Sequence, residues 1–73
     1  MTPINFLDLQ EYVLEKVSEN KTLFEKELRK SFKLLNYDDL RSLYYWAICK
    51  FLEQNRIIVE RVFIGNGYNY SNH

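Results

Sequence analysis

NYDDLRSLYYWAICKFLEQ, residues 36–54, is the stretch against which the rest of the chain is read. Its apolar positions are Leu40, Leu43, Tyr44, Ala47, Ile48 and Phe51. They recur at helical spacing and make a broad stripe suited to a core. Asn36 is a good N-cap, and Asp39 follows three residues later, where an acid complements the positive end of the helix dipole. Asp38, Ser42, Cys49 and Glu53 point away from the stripe. Tyr45 and Trp46 flank that outer face, with Arg41 at its margin. The spacing predicts one long helix over 36–54. Tyr45 and Trp46 have two readings. Either the core is wide enough to wrap around the helix, or they anchor a contact surface, as Tyr and Trp do at interfaces.

Upstream, Asn5 is the expected cap of a first helix over 5–18, with Asp8 three residues on. Phe6, Leu9, Val13 and Val17 form its expected buried stripe, widened by Leu7, Tyr12 and Leu14. Ser18 to Lys21 break the pattern as a loop. Thr22 and Glu25 then make a capping box that opens a second helix over 22–32. Phe24, Leu28 and Phe32 lie on its inner side, and Lys26, Lys30 and Lys33 fall opposite. Leu34 and Leu35 fill the turn before Asn36. Two helices joined by so short a turn form a helix-turn-helix unit.

Downstream, Asn55-Arg56 reads as a helix stop. Ile57 to Ile64 is rich in β-branched and aromatic residues and reads as a strand. Asn66-Gly67 between such segments is a strong signal for a type I′ turn, so a β-hairpin is expected over 57–71. The expected fold class is therefore mainly α with a C-terminal β-hairpin, three helices plus the hairpin, as a single domain over 1–73.

The composition suits a small folded domain. The chain has 73 residues, of which 47% are hydrophobic and 16% aromatic, with two glycines and one proline. Disorder is therefore not expected. No apolar run approaches the ~18 residues needed to span a bilayer, and polar residues interrupt the N-terminus where a signal peptide would be apolar. The single Cys49 cannot form an internal disulfide. These features point to a cytoplasmic chain with no membrane association.

Formal net charge is zero, but its distribution is uneven. Asp8, Glu11, Glu15 and Glu19 against Lys16 leave residues 1–19 at −3. Lys21, Lys26, Arg29, Lys30 and Lys33 against Glu25 and Glu27 leave residues 20–33 at +3.

The order helix, helix, turn, long helix, hairpin resembles the winged helix-turn-helix family over nearly the whole chain. The resemblance is carried by Glu27-Leu28 and Phe32, by Leu35 in the turn, and by Leu40, Leu43, Ala47, Ile48 and Phe51. Asn55-Arg56-Ile57-Ile58 carries it at the step into the wing. It implies double-stranded DNA binding by a small transcriptional regulator, acting as a homodimer. It assigns Arg41, Ser42, Tyr45 and Trp46 to the recognition surface, Lys26, Lys30 and Lys33 to phosphates, and Arg61 to the wing. A dimer would set two third helices about one DNA turn apart, ~34 Å.

The residues themselves leave alternatives open. Lys26, Lys30 and Lys33 suit a phosphate ridge, or simply the solvated face of an amphipathic helix. Arg41 suits a guanine edge, or a surface pair with Asp38. Tyr45 and Trp46 suit a protein interface, which makes a protein-interaction module the alternative function. Tyr68 and Tyr70 suit base stacking on a single strand, or packing over the third helix. Cys49 and His73 are too few for a zinc site, which needs about four ligands. No phosphate-cradling glycine loop and no carboxylate pair in a cleft is evident, so neither an enzyme nor a cofactor is expected.

Overall fold

The computed structural model describes residues 5–67, which form four α-helices. They are α1 (Phe6–Lys16), α2 (Lys21–Leu34), α3 (Tyr37–Lys50) and α4 (Glu53–Gly65). Both α1 and α4 pack against α2 and against α3. There is no strand among the described residues, so the expected α-plus-hairpin class gives way to an all-α fold.

The capping asparagines set the first three helix starts. Asn5 Oδ1 accepts from Leu7 N at 2.9 Å, Asn20 Oδ1 from Leu23 N at 3.1 Å and Asn36 Oδ1 from Asp39 N at 2.8 Å. Each satisfies an amide that the first turn leaves without an intrahelical partner. Asn20 displaces Thr22 as the cap of α2, which also runs on to Leu34.

The long helix over 36–54 stops early. Phe51 and Leu52 are extended, at ψ 153° and 162°, and Glu53 takes a left-handed φ of 53°. This break turns Phe51 into the core, edge-on to Phe24 at 4.9 Å and to Trp46 at 5.5 Å between ring centres. Aromatic pairs at such separations favour this geometry.

The hairpin over 57–71 is the main correction. Asn55-Arg56 does not stop a helix but lies inside α4, and Ile57 to Ile64 is helical. Asn55, Ile58, Val59, Val62 and Phe63 are its buried residues. Their spacing is one helix face, and burying that face over α2 and α3 outweighs the modest β-preference of branched side chains. Phe63 is fully buried between Phe32 at 4.8 Å and Tyr44 at 5.1 Å, a burial worth about 2–3 kcal/mol. Asn66 is the C-cap of α4 rather than a hairpin corner, and Gly67 follows at φ 80°. A glycine just past a helix end commonly adopts that conformation. The second expected strand, with Tyr68 and Tyr70, lies outside the described residues.

The first helix is rotated from its expected facing. Phe6 and Leu9 are exposed, while Gln10 and Leu14 are buried. Gln10 Nε2 donates to Ser31 Oγ at 2.8 Å and to Glu27 O at 3.1 Å, and Ser31 Oγ donates to Glu27 O at 3.0 Å. This clasp joins α1 to α2. A second polar tie runs from Asn55 Nδ2 to Ser18 O at 2.8 Å and holds α4 to the first loop.

Candidate functional site

The inward pull of Phe24 and Leu28 fixes which side of α2 faces out. On that outer side Lys26, Arg29, Lys30 and Lys33 are exposed and line one shallow recess. The seven-residue step from Lys26 to Lys33 spans roughly 10 Å of helix. Arg29 was not singled out from the sequence, although its place three residues after Lys26 put it on the same ridge.

Two of the four cations are neutralised locally. Arg29 pairs with Glu25, and Lys30 Nζ lies 3.2 Å from Glu27 Oε1. Lys26 and Lys33 form no ion pair among the described residues. Glu25 is shared, since Arg61 Nη2 on α4 reaches its other oxygen at 2.9 Å. Hydrogen bonding from Arg29, then from Arg61, holds the Glu25 carboxyl below its ordinary value. Arg61 is thus a strut between α4 and α2 and not the cation of a wing.

On α3, Arg41, Ser42 and Tyr45 are all exposed on the outer side. Tyr45 stacks edge-on against Tyr44 at 5.4 Å and keeps 43% of its surface. Trp46 turns the other way. It is half-buried and packed on Phe51. The structure therefore brings Arg41, Ser42 and Tyr45 to one face and leaves Trp46 out of it. Asp38 is exposed in the first turn of α3, beside that face.

The opposite sign collects on α1. Burial, together with Asp8 and Glu15, raises the Glu11 carboxyl above its ordinary value. Glu15 Oε2 accepts from Lys50 Nζ at 2.6 Å, which ties α1 to α3. Cys49 is an exposed free cysteine. No three His, Cys, Asp or Glu side chains converge as metal ligands among the described residues. No helix among them is long and apolar enough to cross a membrane.

No family model, no curated protein and no solved structure matches this chain.

Proposed function

We propose that the chain is a small helical protein that binds double-stranded DNA, with the outer side of α2 as its phosphate-contacting surface. The observation that carries this reading is the basic recess of Lys26, Arg29, Lys30 and Lys33, in which Lys26 and Lys33 have no carboxylate partner among the described residues. Cations held on a rigid helix and free of counter-charges release the ions condensed on a polyphosphate when they bind it. The reading keeps α2 and α3 from the helix-turn-helix resemblance and drops the wing. Arg41, Ser42 and Tyr45 then supply contacts to base edges, and Arg61 stays with Glu25. Such a protein works as a regulator of transcription in the cytoplasm, where an exposed free thiol such as Cys49 persists.

The test is anisotropy of a labelled random duplex at two salt concentrations. Micromolar binding is expected, with a log–log salt slope of about −2 to −4 for up to four phosphates contacted. Replacing Lys26→Glu together with Lys33→Glu should weaken it at least tenfold, roughly 1.4 kcal/mol. Salt-independent or absent binding sinks the reading.

A second reading rests on Tyr45. Its exposed ring beside Arg41 and Ser42 suits a protein partner docked on the outer side of α3. Tyr45→Ala would then abolish capture of that partner, while the two lysine reversals would leave it intact.

A further inference from the structure

The solvent side of α4 carries a feature that DNA binding does not use. Taking roughly 100° per residue, Ile57 and Ile64 stand almost directly opposite the face formed by Asn55, Ile58, Val59, Val62 and Phe63. They are seven residues apart and keep 59% and 61% of their surface. Arg61 lies along one edge of this stripe, and Glu53 and Glu60 lie along the other. Gln54, Ile57 and Arg61 also border a shallow recess, with Ile58 at its floor. Glu60 is half-buried and makes no ion pair among the described residues.

We propose that this surface receives the α4 of a second copy of the chain, parallel and in register. The seven-residue step brings Ile57 onto the partner's Ile57 and Ile64 onto the partner's Ile64, as in a short coiled-coil seam. A two-fold axis parallel to both helices then sets the basic edge of one copy against the acidic edge of the other. Arg61 meets the partner's Glu60 on both sides of the seam and lies between that carboxylate and its own Glu25. The charge order selects this direction. In an antiparallel pair like edges meet, so Arg61 would face the partner's Arg61 and Glu60 the partner's Glu60, and such pairs repel. Two isoleucines per copy form a small patch, well below the ~800 Å² per partner of a standard interface. The dimer is therefore a weak one, with a Kd on the order of 100 μM.

This pairing is independent of the DNA reading and is tested without nucleic acid. Sedimentation equilibrium of the full chain from about 5 to 500 μM should pass from monomer to dimer across that Kd. Ile57→Asp with Ile64→Asp should hold it monomeric throughout, with an unchanged helical circular dichroism spectrum. Glu60→Arg alone should weaken association at least threefold, and adding Arg61→Glu should restore it by reversing the pair. In a Cys49→Ser background, Ile64→Cys should oxidise to a dimer linked through position 64 by itself, as only a parallel pair permits. A chain that remains monomeric at the highest concentration overturns the proposal. So does association that survives the two aspartates, or a cysteine link that forms only when Ile57→Cys and Ile64→Cys chains are mixed.

Discussion

Gln10 shows how far one side chain can turn a helix. Periodicity assigned the buried stripe of α1 to Phe6, Leu9, Val13 and Val17, yet Gln10 is only 1% exposed and Phe6 and Leu9 face out. An apolar count cannot rank a glutamine as core. Its amide is accommodated because Ser31 and the Glu27 carbonyl accept from it, and a buried amide without such partners costs more than its burial returns. The clasp predicts an unequal pair of variants. Gln10→Met keeps the volume, and Ser31 keeps its own bond to Glu27 O, so the cost should stay below about 1.5 kcal/mol. Gln10→Ala removes the packing as well and should cost about 2–4 kcal/mol. Urea unfolding of the two variants separates the volume from the hydrogen bonds. Equal costs would show that the bonds, not the packing, hold α1 in its rotation.

At the scale of the element, α4 decides the fold. Its helical face at Asn55, Ile58, Val59, Val62 and Phe63 was present in the sequence all along. It was masked by Ile57 and Ile64, whose exposure on the far side made the segment look apolar all round, and by branched residues that favour strands only weakly. The Asn-Gly pair was ambiguous for a physical reason. A hairpin corner and the end of a helix both call for a glycine at positive φ. The two neighbouring glycines now answer differently. Gly65 ends the helix with nothing within 4 Å of an added Cβ, so Gly65→Ala should stabilise by about 0.5–1 kcal/mol. Gly67 sits at φ 80°, so Gly67→Ala should destabilise by about 1 kcal/mol even though space is open there. Thermal denaturation followed at 222 nm reads both changes. By contrast, Leu40, Leu43, Tyr44 and Ala47 of α3 and Phe24 and Leu28 of α2 were legible as core, because each helix buries a single face, although the Asn20 cap and the end of α3 at Lys50 were not. Within the candidate site the lysine ridge was legible for the same reason. The inward turn of Trp46 was not, because the break after Lys50 that lets Phe51 meet it leaves no mark in apolar spacing.

At the scale of the whole molecule, two of the ion pairs among the described residues join different helices. Glu25 joins α2 to α4 through Arg61, and Glu15 joins α1 to α3 through Lys50. Because the Glu25 carboxyl titrates below its ordinary 4.5 when folded, the unfolded chain takes up that proton first. Its contribution is complete above the unfolded value and is lost as pH falls through the folded one. Glu11 runs the other way. Its carboxyl is raised, first by burial and then by Asp8 and Glu15, so the folded chain binds the proton first, and acid relieves the cost of holding that charge. The urea midpoint should therefore hold or rise slightly as pH falls through the raised Glu11 value toward 4.5, and then fall below 4.5 as Glu25 takes up its proton. In Glu25→Gln that acid limb should be shallower. An unchanged acid limb in this variant would assign acid sensitivity to other carboxylates. Finally, the order of the helices along the chain bears on how the protein is made. Val59, Val62 and Phe63 close the core from α4, and the rings of Phe32 and Tyr44 wait for Phe63. A nascent chain emerging from the ribosome has no finished interior until that phenylalanine is free. Synthesis that halts before α4 leaves three amphipathic helices with their apolar sides bare, which is the form a cell's chaperones and proteases recognise.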